Sequence, residues 1–253
     1  MRAEERRRLI LDRVWRDGSV GVTGLAAELE VAAETIRRDL TVLAGQGVLR
    51  RVHGGAILDA RFESEPSVEI RRIHMTAEKG LIAQAALDHV PPEGTVLLDA
   101  GTTTACLAAL LPSDRELTIV THAVDVALAL ARRSNLTVLL VGGRIRRRTL
   151  ASVDAWAIHA LAEICVDVAF IGTNGLSLEH GLTTPDSAEA MVKRSAIAAA
   201  GHSIVLADHT KVGKSHFARF AALSDIDVVI TSGGVDSATV AEIDATGPRV
   251  IVA

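Results

Sequence analysis

Two adjacent arginines beside a threonine, in Thr35-Ile36-Arg37-Arg38-Asp39-Leu40, are the first residues in the chain whose types and spacing could do chemistry. A guanidinium group is a planar donor fork that fits a guanine edge or a phosphate. Ile36, Leu40 and Leu43 recur at i, i+4 and i+7. They face inward on a helix over 33–46 and turn Thr35, Arg37, Arg38 and Thr41 outward. Arg37 and Arg38 stand about 100° apart on such a helix. One is therefore expected to read a base edge and the other to grip phosphate, with a hydroxyl contact from Thr35. A second basic stretch, Arg50-Arg51-Val52-His53-Gly54-Gly55, follows as a strand pair, and Arg50, Arg51 and His53 are expected to hold phosphates from it. A solvated face could carry the same arginines, but the basic strand pair beside it favours DNA.

A second set of chemistry-bearing residues sits in loops further on. Asp99-Ala100-Gly101-Thr102-Thr103-Thr104 follows an apolar run and opens a helix. It offers backbone N–H groups, three hydroxyls and the positive end of a helix dipole, which suits a phosphate. It lacks the Gly-Lys-Ser/Thr ending of a P-loop and is not GxGxxG. A threonine-rich helix cap with nothing bound would read the same way. Four more strand ends are Thr121-His122-Ala123, Gly142-Gly143-Arg144, Gly172-Thr173-Asn174-Gly175 and Asp208-His209-Thr210-Lys211. The third of these leads into Gly181-Leu182-Thr183-Thr184-Pro185-Asp186. Each alone is ordinary turn chemistry; the five together point to a pocket for a hydroxylated, phosphorylated molecule. Arg144, Arg146, Arg147 and Arg148 form a basic run next to it, either cations for a phosphate or a solvated loop or hairpin. Lys193 reads as a surface lysine. The histidines show no HExxH spacing, and Cys106 and Cys165 read as reduced core thiols, so neither a metal nor a cofactor is expected.

The elements that must position these residues change character along the chain. Residues 4–16 carry Leu9, Ile10, Val14 and Trp15 on one helical stripe, ended by Asp17-Gly18-Ser19. A short second helix starts near Val22 with Thr23 as N-cap, and Gly47 stops the third. Residues 48–58 form a short β-ribbon with Gly54-Gly55 in its turn or exit. This is a winged helix-turn-helix over 1–58. Residues 59–67, polar and acidic, read as a linker. From Val68 to 253, apolar runs at 95–98, 117–120, 136–141, 166–171, 203–206, 228–230 and 249–252 alternate with helical stretches. That is an α/β domain with a mostly parallel sheet, in which ligands bind beyond the carboxyl ends of the strands.

Charge divides the same way. The chain is −4 overall, yet residues 1–55 hold ten arginines and eight acids, a net +2. The rest holds 17 basic and 23 acidic residues, a net −6. A head this mildly basic needs more than one copy to hold an operator, so a homo-oligomer is expected. No apolar run approaches the roughly 20 residues of a membrane span, and no signal peptide is visible, so the expected location is the cytoplasm.

Taken together, these residues resemble the DeoR family of bacterial transcription regulators over essentially the whole chain. The run 35–40 with Arg51-Val52-His53-Gly54-Gly55-Ala56 is similar to that family's N-terminal signature. The segments at 99–104, 171–175, 181–184 and 208–211 are similar to its sensor. The resemblance implies a homodimeric or homotetrameric regulator, expected to be a repressor of sugar-utilisation genes. It implies a sensor domain like ribose-5-phosphate isomerase and glucosamine-6-phosphate deaminase, with a phosphosugar effector. In that reading Gly101, Thr102, Thr103 and Thr104 bind the phosphate, Asp99, Asn174 and Asp208 take sugar hydroxyls, and Lys211 is a charge partner. Thr121, Gly142, Gly143, Arg144, Arg148, Ser152 and Thr183 line the same site. The chain departs from the family at His122, where Asn is common, and at Asp154, where Gly often follows Ser-x. Within the family it is most similar to actinobacterial fructose-operon regulators, which makes fructose 1-phosphate the first effector to consider.

Two rival readings remain. A sugar-phosphate isomerase would need a carboxylate base, and Asp99, Asp186, Glu189 and Asp208 are present. The Asp-Gly-Ala-Asp-Glu and Lys-Gly-Gly-Gly-Gly segments that ribose-phosphate isomerases share are not, so a non-enzyme is expected. A DNA-binding scaffold without an effector is the other.

Overall fold

A computed structural model of the protein describes residues 1–45, 49–58 and 65–253. The chain divides into two compact units, Met1–Met75 and Thr76–Ala253. The glycine stop expected at Gly47 and residues 59–64 of the expected linker lie outside the described residues.

In the first unit, helix α1 (Ala3–Asp17) is followed by strand β1 (Ser19–Gly21), helices α2 (Val22–Glu28) and α3 (Ala33–Gly45), strands β2 (Leu49–Val52) and β3 (Gly55–Leu58), and helix α4 (Val68–Ile73). Ile10, Leu11 and Val14 of α1 pack with Leu25 of α2 and with Ile36, Leu40 and Leu43 of α3 in one apolar core. Leu9, placed on that stripe from its spacing, is instead 40% exposed. The α2 N-cap is Gly21 rather than Thr23, and no side chain caps it. The sheet has three strands in the order β1-β3-β2, one more than the ribbon expected, because Ser19–Gly21 pairs antiparallel with β3 instead of only ending α1. Gly55 makes that pairing possible: a Cβ there would lie 2.0 Å from the Val20 carbonyl oxygen. Helix α4 buries Val68 and places Ile70 in this same core. The compact units therefore meet after Met75, one helix later than position 68. An apolar helix in sequence does not announce which core will receive it.

The second unit begins with α5 (Thr76–Ala86) and then alternates: β4 (Gly94–Leu98), α6 (Thr102–Leu110), β5 (Leu117–Thr121), α7 (Val124–Leu130) and β6 (Leu136–Leu140). A ribbon of β7 (Arg144–Arg146) and β8 (Ala151–Val153) follows, then α8 (Ala155–Ala162) and β9 (Val166–Gly172). After β10 (Gly175–Ser177) and β11 (Gly181–Thr184) come α9 (Ser187–Ala198), β12 (Ala200–Ala207), β13 (Ala218–Ala221), β14 (Val228–Thr231), α10 (Ser237–Asp244) and β15 (Arg249–Val252). All seven expected strands enter one parallel sheet of order β15-β14-β12-β9-β4-β5-β6. The apolar run Val168–Ile171 is continuous because both faces of the central strands are covered; Ala169, Phe170 and Ile171 are fully buried. The chain winds outward from β4 to β6 and later from β9 to β15. Neighbours β4 and β9 are thus the point where the winding reverses, and their carboxyl ends open the crevice in which such sheets bind ligands. A small antiparallel sheet, β10-β11-β13, stands apart from it.

Candidate DNA-reading surface and effector site

Helix α3 turns Ile36, Asp39, Leu40 and Leu43 inward and leaves Glu34, Arg37, Arg38 and Thr41 exposed. Arg50, Arg51 and His53 are exposed beside it, since only Leu49 of β2 faces the core. Thr35 is half-buried. Arg51 Nη1 donates to the Arg37 carbonyl oxygen (2.9 Å) and to Thr41 Oγ1 (3.0 Å), and Thr41 Oγ1 donates to that same carbonyl (2.8 Å). The wing arginine therefore also fastens strand β2 to the reading helix. Arg37 Nη1 lies 3.1 Å from Glu34 Oε2.

Asp39 went unnoticed in sequence as a structural residue. It is an acid on the buried stripe, and such a group must find a cation. Arg6 Nε donates to its Oδ2 (2.5 Å) and Arg7 Nε to its Oδ1 (2.9 Å). Two arginines of α1 thus hold the reading helix in place and are withdrawn from the basic surface. Asp39 on the stripe between Ile36 and Leu40 was the available signal.

In the second unit the loops after β4, β5 and β9 are joined by buried charge. Asp99 is fully buried. Its Oδ2 accepts from Lys193 Nζ and from the Gly172 N–H (2.7 Å), and its Oδ1 lies 2.7 Å from His122 Nε2. Burial pushes the Asp99 carboxyl up, but the Lys193 charge and the His122 hydrogen bond and charge outweigh it and hold it at about 2. Lys193 is 3% exposed, also donates to the Gly172 carbonyl oxygen (2.9 Å) and sits 5.6 Å from the centre of the Phe220 ring. The surface position expected for Lys193 is corrected: α9 turns it inward with Val192 and Ala196, and Asp99 compensates its burial. His122 Nδ1 is 3.0 Å from the Ser152 carbonyl oxygen, which can only accept, so Nδ1 carries a proton. Nε2 faces both the Ala100 N–H (3.1 Å) and Asp99 Oδ1 (2.7 Å).

This network corrects the role expected of Asp99. With Lys193 and Gly172 on one oxygen and His122 on the other, and no exposed surface, it presents no atom to a sugar. Thr104 Oγ1 is turned back to the carbonyls of Asp99 (2.7 Å) and Gly101 (2.9 Å), so its hydroxyl is also withdrawn from a phosphate. Thr121 Oγ1 donates to the Leu98 carbonyl (2.6 Å), and Thr183 Oγ1 accepts from the His216 N–H (3.0 Å); both residues are buried. Ser152 is buried and donates its N–H to the His122 carbonyl (2.7 Å). A Cβ at Gly143 would lie 2.6 Å from the Val153 carbonyl, so this glycine serves the approach of the loop to β8.

Other expected groups are more open. Thr102 and Thr103 open α6, are 7% and 8% exposed, and make no side-chain hydrogen bond among the described residues. Gly101, directly before them, and Asn174 are half-buried; Gly142 is exposed. Asp208 is the exception: it is 1% exposed and accepts from the Thr210 N–H (3.1 Å) and its hydroxyl, so the sugar contact expected of it is corrected; Lys211 and Arg148 are half-buried. Arg144 is exposed and pairs with Asp154 through both guanidinium and carboxylate forks (2.5 and 3.3 Å). Asp154 has φ 74 and ψ −170, a backbone region that suits glycine. Arg146 donates to Asp186 (2.9 Å) and Glu189 (3.3 Å), tying β7 to the start of α9. Burial raises the Asp186 carboxyl, but the Glu189 N–H and Arg146 outweigh it and lower it. Among the described residues no group of His, Cys, Asp and Glu could hold a metal ion, and no helix is long and apolar enough to cross a membrane.

A three-stranded winged head presenting arginines, joined to a parallel-sheet unit with a polar switch point, defines a ligand-responsive DNA-binding regulator. The DeoR-like helix-turn-helix domain matches residues 6–62 and the DeoR C terminal sensor domain matches 74–233; the chain belongs to the DeoR family. It is 35% identical to the HTH-type transcriptional regulator GlpR of Haloferax volcanii, covering 98% of this chain and 96% of that one. It is 34% identical to the uncharacterized HTH-type transcriptional regulator FruR of Bacillus subtilis, covering 91% and 92%. With the HTH-type transcriptional repressor GlcR of the same organism the identity is 32%, covering 100% and 97%. Ribose 5-phosphate isomerase A from Methanocaldococcus jannaschii aligns with a TM-score of 0.41 at 15% identity over 55% of each chain, too partial a likeness to argue from. The protein is a DNA-binding, sugar-phosphate-sensing transcriptional regulator.

Proposed function

We propose that the protein is a homo-oligomeric repressor, a dimer or tetramer, that leaves its operator when a phosphorylated sugar occupies the switch point between β4 and β9. Thr102 and Thr103 carry the reading: two hydroxyls without hydrogen-bond partners among the described residues stand in the first turn of α6, beside free backbone N–H groups and the positive end of the helix. With Gly101 they hold the phosphate. Asn174 and Lys211 face the sugar, Asp208 holds the turn beside them through Thr210, and Arg148 and Gly142 line the approach. Asp99 and Lys193 keep the two strand ends at the spacing the ligand needs. Fructose 1-phosphate is the first effector to test. Release requires that the ligand favour the state with the poorer placement of DNA heads.

The same arrangement argues for binding without turnover. Proton transfer beside a sugar carbonyl needs a carboxylate within reach of substrate, and Asp99, the carboxylate at the switch point, has both oxygens engaged. A thermal-shift screen of hexose, pentose and ketohexose phosphates tests the proposal, with a coupled aldose–ketose assay run on each hit. The expected result is a raised melting temperature with at least one phosphosugar and no interconversion. Turnover, or no shift with any of them, would overturn it.

A further inference from the structure

The outward line of the recognition helix does not run through its arginine pair. At 100° per residue, the buried residues Ile36, Asp39, Leu40 and Leu43 define an inward direction, and Glu34 points about 170° away from it. Arg38 and Thr41 follow at about 150°, with Arg37 at only about 110° and Thr35 at about 90°. The contacts agree with this order. Thr41 is bonded to Arg37 and Arg51. Arg37 leans on Glu34, and Thr35 is half-buried. Arg38 is exposed and makes no hydrogen bond or ion pair among the described residues. Glu34, with its side chain 72% exposed, lies in the first turn of α3, the part of a recognition helix that meets base edges.

We infer that Glu34 and Arg38 are the base-reading pair, and that Arg37 is a flanking phosphate contact. An ionised glutamate is acceptor-only. In the major groove it can be satisfied by the cytosine N4 amino group and is repelled by the N7 and O6 acceptors of guanine and by phosphate. Arg38 donates in a fork that fits those same guanine acceptors. Four residues of helix separate the two side chains by about 6 Å along the axis, close to two steps of 3.4 Å along a strand. Each half-site is thus expected to hold a guanine and a cytosine within about two base pairs. The exposed Glu34–Arg37 pair is weak enough to open on DNA, freeing Arg37 for the backbone. An acid at the centre of this surface costs affinity for every sequence and returns it only where a base amino group is presented, so it acts by excluding wrong sites.

The inference rests on DNA reading by this head, and one experiment separates the two. The full chain is used to select binders from random-sequence duplex DNA, for wild type, Glu34→Ala, Glu34→Gln and Arg37→Ala. Wild type and Arg38→Ala are then titrated against the selected site with each position substituted. Wild type should enrich a half-site with the guanine and cytosine columns. Glu34→Ala should lose the cytosine column and bind random duplex more tightly than wild type. Glu34→Gln should replace cytosine with adenine, whose N6/N7 edge a glutamine fits. Arg38→Ala should lose the discrimination at guanine, about five- to 150-fold per position in wild type. Arg37→Ala should keep both columns and weaken selected and random duplex alike. The assignment is overturned if both Glu34 variants return the wild-type motif, or if Arg37→Ala loses the guanine column. If wild type enriches no motif, DNA reading by the head fails with it. Melting temperatures of the Glu34 variants should match wild type, as expected for so exposed a side chain.

Discussion

The DNA head and the sensor treat their charged residues in opposite ways. On α3 and the wing, Arg38, Arg50 and His53 stay at the surface, and the contacts of Arg37 and Arg51 are exposed. At the sensor's switch point, Asp99, His122 and Lys193 are buried and satisfy one another. A nucleic acid is a preformed array of charge, and a protein reads it by presenting groups to it. A small effector must be enclosed, and the groups that shape its enclosure spend their hydrogen bonds on the protein. In the head, the charged residues of the signature are therefore mostly exposed. In the sensor, many are the frame around the contact.

The largest effect should come from breaking that frame. Asp99→Asn is expected to destabilise the sensor by about 3–5 kcal/mol, because it leaves the Lys193 charge buried without its partner. Chemical denaturation near neutral pH measures the loss. The Asp99 carboxyl is held at about 2, below its usual 3.8. Its contribution is complete above about pH 4 and is lost as pH falls through about 2. The gap between wild type and variant should therefore narrow over that acid range. A gap that stays constant would mean Asp99 is not ionised in the folded protein.

The head has a buried charge cluster of its own around Asp39, and it sharpens the contrast. Asp39→Asn should cost about 1.5–3 kcal/mol, as expected for hydrogen bonds between charged groups, because Arg6 and Arg7 lose their carboxylate. It should also weaken DNA binding without changing which sequence is preferred, since Asp39 is too buried to touch a base. Denaturant titration and binding to substituted duplexes check the two halves. A smaller effect of opposite sign is expected at Asp154. Glycine there relieves a backbone at φ 74 and sacrifices only an exposed pair with Arg144. Asp154→Gly should stabilise the sensor by about 1 kcal/mol, read as a raised melting temperature.

The contrast also explains what was legible in sequence. The parallel sheet was readable strand by strand because its apolar runs are continuous and bounded by polar strand ends. The outward face of α3 was readable because helical periodicity converts directly into exposure. What periodicity does not encode is the partner of a buried polar group. Asp99, Thr104 and Thr121 have the composition of a ligand site, and only the fold shows that they bond to Lys193, to the Asp99 and Gly101 carbonyls and to the Leu98 carbonyl. Lys193 is distant from the threonine loop in sequence and lies on a helix with no marked apolar stripe, so no local pattern tied it to Asp99. The third strand of the head was missed for a similar reason. Ser19-Val20-Gly21 is too short to show alternation and exists only because Gly55 lets β3 come close.

Thr102 and Thr103 are where the two regions should meet in function, because the phosphate they are proposed to hold decides whether the head stays on DNA. The direct measurement is fluorescence anisotropy of the selected duplex, titrated with the phosphosugar that gives the largest thermal shift, for wild type and Thr103→Ala. Thr103→Ala should bind the duplex as wild type does and need at least about tenfold more phosphosugar for release, as expected for one hydrogen bond to a charged group. Release of both proteins at the same phosphosugar concentration would contradict the phosphate seat at the start of α6.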